Sequence, residues 1–539
     1  MNLLTAPWLP VRLKSGRRAW IAPDRLGDAE IVAFDADRAD FNGALMQFSI
    51  GLLQSVAPVE NGTQWKKLLN EPPSAATLAE WFAPYLPVFE FDGEGARFMQ
   101  DLDLQAEGAS ENTIGALFIE MPGENALRNN SDHFIKRGGV SGLCPDCAAT
   151  ALLTLQINAP AGGAGYRTGL RGGGPLTTLL LCEPAQSLWQ DLWLNVQERP
   201  SFLSHCGDAN LTETVFRFPW MGSMEKIQPA NGNGETQPAR VHPDHIFWAM
   251  PRRIRLDFEQ VAQGQCDVCG RESAQLVQRF ITRNYGLNYK GPWDHPLSPY
   301  YQNKEDWLPL HPQPGGLGYR HWLAWVLGHG NDKKNLRAAR VVEHAMEHRT
   351  RQIKKGLHLW AFGYDMKKAN ARCWYESKLP LYNLAERDAD AQRYLKAELG
   401  TCLNGADLAA QYTRNAVKDA WFSADAKGDF SVVDAAFLAK TETAFYRLLQ
   451  DMIAAFSEGE PYDDQAARAA WHKVLTDSAE KLFDQDFVGT GLVERQNPRR
   501  VALAYNQLRK NLRGPKLLQT LLLPIPEKTK APKKAKGAK

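Results

Sequence analysis

Beyond about residue 380 the apolar positions fall into helical step. Val433, Phe437, Phe445, Leu448, Leu449, Met452, Ile453 and Phe456 recur every three or four residues along one stripe, and Trp471, Val474, Leu475, Leu482 and Phe483 repeat it. Two further segments, 403–422 and 499–512, carry the same period and bring the predicted helices to four. Their connections, among them "SADAKGDF" and "SEGEPYDD", are short and polar, and helices joined in that way pack most economically as an antiparallel four-helix bundle. Before about residue 375 the pattern differs. Short apolar or β-rich runs such as "RAWIAPD", "LTTLLLCE", "HIFWAM" and "RIRLDF" alternate with Gly, Pro and Asn, a loop-rich α+β texture in which 65–86 is the more helical stretch. The predicted organisation is therefore a mixed α+β domain over 1–380, an all-α four-helix bundle over 381–525 and a tail over 526–539.

Composition refines this picture in three places. Hydrophobic residues make up 44% of the 539 positions and include 16 Trp, enough to build sizeable cores in more than one domain. Lys plus Arg (63) nearly balances Asp plus Glu (61), so net charge does not announce a polyanion partner and only its distribution can. The last twelve residues, "KTKAPKKAKGAK", hold six lysines and no acid, and read as a disordered basic tail. No apolar run reaches the ~18 residues that span a bilayer, and the N-terminus lacks the layout of a secretion signal, so the expected location is cytoplasmic with no membrane partner.

In such a reducing compartment the cysteines point to metal. Of the eight, four form two tight pairs, Cys144/Cys147 in "CPDC" and Cys266/Cys269 in "CDVCG". A two-residue spacer lets both thiolates of a pair reach one tetrahedral ion, and four sulfurs leave zinc no open position, so the expected site is structural. Independent buried or redox thiols are the alternative. "HAMEH" (His344 to His348) matches the H-x-x-E-H of inverted zinc peptidases, with Glu347 between its histidines, but no adjacent third ligand is apparent and its strongly basic flanks read as a solvated helix face. There is no G-x-S-x-G elbow and no phosphate loop, and "GAGYRT" fails the last glycine of G-x-G-x-x-G. No catalytic constellation emerges, and the chain reads as a non-enzyme.

The stretch "INAPAGGAGYRTGLRGGGPLTT" carries seven glycines in 22 residues without holding a nucleotide signature. Its glycines let a backbone lie flush against a nucleic-acid groove, and Arg167 and Arg171 are placed to neutralise phosphates. Three further loops mix aromatic and basic residues, a pairing that stacks on bases while holding the backbone. They are "SDHFIKRGG" with Phe134, Lys136 and Arg137, "QRFITRNYGLNYKGPW" with Arg279, Arg283, Tyr285 and Lys290, and "GYDMKKANARCWYE" with Lys367, Lys368 and Asn370.

These motifs, together with "NLLTAPWLPV", "CDVCGRES" and "GPWDHPLSP", give a sequence that resembles the CasA family, the large subunits of type I-E CRISPR surveillance complexes (Cascade). The resemblance covers nearly the whole chain except the lysine tail. It implies a non-catalytic subunit that works with guide RNA and other Cascade subunits. Such a subunit recognises the protospacer-adjacent motif of double-stranded DNA from the minor groove, wedges the duplex open and recruits a helicase-nuclease. By resemblance the motif loop falls at Ala161, Gly162, Gly163, Ala164 and Gly165, where the two alanines interrupt a more continuous glycine run. The basic finger falls at Arg283 and Asn284, the latter standing where the family has lysine. The wedge falls at Lys367, Lys368, Asn370 and Ala371, and Phe134 lies in the loop that anchors the guide's 5′ end. Two rival readings remain: a zinc-ribbon nucleic-acid-binding protein unrelated to CRISPR, and a metallopeptidase built on "HAMEH".

Overall fold

The computed structural model describes residues 1–121, 138–163, 165–229, 234–328, 335–345, 356–367, 370–382, 389–423, 427–458, 462–489 and 497–526. The chain divides into two compact units, one comprising Met1–Gln313 and Ala324–Ala385, the other Pro314–Leu323 and Glu386–Lys539.

The first unit is α+β. The helix Ala39–Val56 runs through its core, with only a few of its positions reaching solvent. Around Phe48 on that helix gather Trp8, Phe89, Phe98, Phe218, Trp220 and Trp248, with ring centroids 5.1–6.2 Å apart and most pairs edge to face. Rings arranged so that the positive edge of one meets the negative face of the next hold the core without a large sheet. "HIFWAM" belongs here. It forms the 3-10 turn Pro243–Phe247 and buries Trp248 completely, because its aromatics are needed on several sides rather than on one face of a strand. The predicted helical stretch 65–86 resolves into two helices, Gly62–Asn70 and Ala75–Phe82, capped by Asn61 and Ser74, with Pro72 and Pro73 between them.

Small antiparallel sheets surround this core. One of them joins Thr177–Glu183 to the hairpin Gly356–Lys367/Asn370–Leu381. The third strand pairs only with residues 356–362, so the end of the hairpin runs on beyond it to the Lys367↔Asn370 pair. A second sheet places Arg279–Arg283 between Ser110–Thr113 and Arg253–Leu256. A two-stranded ribbon pairs Val261–Gln265 with Glu272–Val277.

The second unit is helical: Ala389–Trp421, Ser431–Glu458, Asp464–Lys481 continued by the π-turn Leu482–Phe487, Pro498–Leu512, and the short Pro515–Thr520. Side-chain pairs give its topology. Arg414 with Asp434 sets the second helix against the first, and Arg500, donating to Ala420 O and Trp421 O, sets the fourth against it as well. Arg468 with Glu398, and Trp471 Nε1 with Cys402 O, run in step with the first helix, so the third lies parallel to it across the bundle. The first helix starts at 389 rather than 403. Leu395, Leu399 and Cys402 extend its buried stripe through a charged stretch. Pro314–Leu323 also belongs to this unit. Tyr319 is wholly buried there, stacked 4.4 Å from Phe445, with its hydroxyl 2.8 Å from Thr441 Oγ1.

Candidate nucleic-acid interface

The helix Pro145–Asn158 begins at Cys144, places Cys147 in its first turn, and ends where the glycine-rich stretch starts. On the ribbon, Cys266 and Cys269 occupy the turn between the two strands. Glycine at 270 takes φ +69°, and its N–H donates to Cys266 O at 3.0 Å, which folds the turn back so that both thiols face one point. The four Sγ atoms lie within 4.8 Å of one another, and Cys144 Sγ is 3.7 Å from Cys269 Sγ. Tetrahedral zinc with Zn–S bonds of about 2.3 Å requires sulfurs about 3.8 Å apart, so the donor set fits that ion and leaves no position for water. A hydrogen bond with Cys147 draws the Cys269 thiol down, while hydrogen bonds with its neighbours push the Cys147 thiol up. The halves are further fastened by Asp267, which accepts from the N–H groups of Ser141 (2.6 Å) and Gly142 (2.9 Å), and by Arg271 with Asp146 at 2.8 Å.

Both elements that leave this centre lead to the predicted loops. The helix delivers the glycine loop, and the ribbon strand Glu272–Val277 feeds Arg279–Arg283 and the finger beyond it. The two loops meet at Gly165. Its carbonyl accepts the Tyr285 N–H at 2.8 Å, its φ is +82°, and a Cβ there would sit 2.5 Å from Asn284 Cβ. Gly163 faces open space, with nothing within 4 Å of an added Cβ. Ala161 is exposed beside them, Gly162 packs its backbone on Tyr166, and Ala164 lies outside the described residues.

The other end of the same stretch meets the hairpin. A Cβ on Gly174 would lie 2.7 Å from Tyr364 Cβ and 3.0 Å from Met366 Cγ, so the loop backbone lies directly against the strand that carries the predicted wedge. Lys367 and Asn370 are exposed at the end of the hairpin, and Ala371 is half-buried opposite Met366. Lys368 lies outside the described residues, as do Phe134, Lys136 and Arg137. The structure therefore brings motif loop, finger and hairpin together through one stretch of chain.

One expectation for a basic residue is corrected. Arg171 is no phosphate contact: it is buried, donates to Thr177 Oγ1 (3.0 Å) and Ser298 Oγ (2.9 Å) and also bonds Gln47, and burial lowers it to about 10. Gln47 and Ser298 come from distant segments, which a local motif cannot reveal. Arg279 is paired with Glu111 at 2.7 Å and the Arg283 guanidinium donates to Glu107 O, both contacts lying at the surface at the root of the finger. Four glycines of the stretch, Gly169, Gly172, Gly173 and Gly174, serve internal packing. Sequence reasoning overlooked Tyr166 and Arg252: the Arg252 guanidinium lies 4.7 Å from the Tyr166 ring centroid and donates to Pro160 O at 2.6 Å. An aromatic residue directly after the last glycine of the loop was the available signal.

Of "HAMEH", His344 is described; its Nε2 lies 2.6 Å from Glu198 Oε2, in contact with the Trp65 ring. Glu347 and His348 lie outside the described residues. No helix among the described residues is long and apolar enough to cross a membrane.

A family model described as CRISPR-associated protein Cse1 matches residues 2–482. Among solved structures, Thermus thermophilus CasA is similar at 17% identity and TM-score 0.65, covering 96% of this chain and 99% of that one. Thermobifida fusca Cse1 is similar at 15% identity and TM-score 0.64, with 97% and 98% covered. A chain of a CRISPR RNA-guided surveillance complex is similar at 16% identity and TM-score 0.66, with 95% and 99% covered.

Proposed function

This chain belongs to the CRISPR-associated Cse1 family, and we propose that it is the large, non-catalytic subunit of a type I-E surveillance complex that reads the motif flanking a DNA target. One observation carries the reading: the glycine-rich stretch holds the finger at Gly165 and the hairpin at Gly174. A reader of duplex DNA needs a close-approaching backbone, a second contact beside it and an element that parts the strands, all in fixed register. Here one stretch supplies that register.

Gly163, with open space before it, lies against the minor groove, where the donor and acceptor pattern is degenerate and several related motifs pass. The tip of the hairpin, with Lys367, Lys368, Asn370 and Ala371, enters the duplex at the first base pair beyond the motif. Pairing with guide RNA then carries the remaining specificity in a nearly balanced strand exchange, so the subunit needs to open only a few base pairs. Asn284 supplies no charge where a lysine would, and its neighbour Arg283 supplies the charge of the finger, with Arg167 beside it under the Tyr285 ring. Phe134, Lys136 and Arg137 anchor the guide's 5′ end. Other Cascade subunits, guide RNA, target DNA and a recruited helicase-nuclease are the partners. Zinc held by Cys144, Cys147, Cys266 and Cys269 would clamp the roots of loop and finger and take no part in chemistry.

The test is target binding by the guide-loaded complex with and without this chain, on targets differing only in the flanking motif. Tight binding that needs both the chain and particular motifs supports the reading. Binding that ignores either one removes it.

A further inference from the structure

Tyr166 and Tyr285 are 49% and 60% exposed, and among the described residues of the first unit no other large hydrophobic side chain stands so far in solvent. Both flank the glycine loop. Each has a cation against one face of its ring, Arg252 at 4.7 Å from the Tyr166 centroid and Arg167 at 5.5 Å from that of Tyr285. Arg252 is buried and bonds only a backbone carbonyl, Pro160 O; its Nη1 has no hydrogen-bond partner, and neither has Arg167 Nε. Neither guanidinium pairs with a carboxylate among the described residues. Two cations are thus kept beneath two rings with no acid among the described residues to neutralise them.

The backbone adds a second observation. Tyr285 is held at φ +66°, a conformation unfavourable for any residue with a Cβ, and the Gly165 carbonyl accepts its N–H. Asparagine or glycine would fit that position with less strain. What tyrosine adds is a flat ring, presented to solvent at the tip of the finger.

A ring with a guanidinium on one face has one face left to offer. The cation withdraws electron density, and the free face then suits an electron-rich planar partner. Every nucleobase has such a face, and stacking on it is indifferent to sequence. The geometry points to Tyr285 and Tyr166 as stacking platforms for the nucleobases left unpaired at the first step opened beside the motif. The inference rests on the proposed function in taking DNA as the ligand, and it deepens that reading: the hairpin parts a pair, and the rings hold what has been parted until the guide reaches it.

The test uses the guide-loaded complex carrying the unaltered chain, Tyr285→Ala, Tyr285→Phe, Tyr166→Ala or Tyr166→Phe. One target is used in two forms, fully paired and with the step beside the motif left unpaired by mismatch, with 2-aminopurine at that step. Each alanine variant is expected to bind both forms about 10-fold more weakly, with the quenched 2-aminopurine emission recovered, while the phenylalanine variants match the unaltered chain. Weakening confined to the paired form makes the rings part of the wedge and overturns the proposal. So does unchanged quenching in the alanine variants. If the rings dock a protein subunit instead, the alanine variants fail to assemble before DNA is added, and that outcome overturns it too. An unaltered complex that is blind to the motif, yet quenches through Tyr285, defeats motif reading and leaves the platforms standing.

Discussion

Replacing Gly165 and Gly163 by alanine separates what the loop does for the protein from what it does for DNA. At Gly165 the φ of +82° costs an alanine about 1–2 kcal/mol. The new methyl would also lie 2.5 Å from Asn284 Cβ, well inside the ordinary carbon–carbon contact of about 3.5–4.0 Å, so loop and finger must part. Parting them gives up the hydrogen bond from Tyr285 N–H to Gly165 O, worth about 1 kcal/mol. Together these come to about 2–3 kcal/mol, or about a 30- to 150-fold fall in the docked population. At Gly163 nothing stands within 4 Å of a Cβ and the backbone is not left-handed, so the cost to the protein stays within about 0.5 kcal/mol. Hydrogen exchange at the Tyr285 amide reads the docking directly, and motif-dependent binding by the complex reads the groove. Gly165→Ala is expected to lose protection and binding together, and Gly163→Ala to lose binding with protection intact. Full Tyr285 protection in Gly165→Ala would refute the account of how finger and loop are joined.

Four other outcomes are expected. Arg171→Ala lowers the melting temperature because it leaves Thr177 and Ser298 without their buried donor, whereas Arg167→Ala leaves it unchanged and weakens DNA binding; the reverse order in a thermal melt would sink the correction made for Arg171. Metal removal by a chelator, or Cys269→Ser, lowers the melting temperature, and a metal assay finds one zinc per chain; an unchanged melt in a metal-loaded sample counts against the centre. Asp191 is pushed up to about 7 by burial, so the folded chain binds more protons than the unfolded one, and stability falls as pH rises from about 4 to about 7. The fall is at most about 4 kcal/mol, and Asp191→Asn should flatten it in melts across that window. Tyr319→Ala empties the place between Phe445 and Trp471 and costs the helical unit about 3–5 kcal/mol, measurable by denaturant titration.

What the sequence disclosed depended on how far apart the deciding partners lie. The bundle was legible because a helical stripe is local: Phe437, Phe445 and Leu449 announce their buried face within a few turns. The early start of the first helix was harder, since Leu395 and Leu399 stand among Arg393, Lys396 and Glu398 and their period is masked by charge. Tyr319 gave no local sign at all, because Thr441 and Phe445, which take it into the helical unit, come more than a hundred residues later. Arg167 and Arg171 illustrate the same limit within the candidate site. They are four residues apart in one glycine-rich stretch, yet Gln47 and Ser298 draw Arg171 into the core while Arg167 stays under the Tyr285 ring. The cysteine centre was legible because its ligands come in two spaced pairs, each of which is a local pattern.

That centre bears on the precision of the whole site. The glycine loop hangs from the far end of a helix of 14 residues rooted at Cys144, a lever about 20 Å long. A tilt of about 10° at the root would carry its far end about 3.5 Å, more than the length of a hydrogen bond. The finger departs from the same root along the ribbon, so an independent tilt there would move Asn284 and Tyr285 away from Gly165. Fastening both roots at one point makes the two levers move as one, and Gly165 fixes them again at their tips. A loop that reads a groove through backbone contact has no long side chain with which to absorb misplacement, so its accuracy must come from the scaffold. On the proposed function, joining loop and finger at both ends supplies that accuracy, and zinc held by the four cysteines would fix the roots of a glycine-lined reading surface.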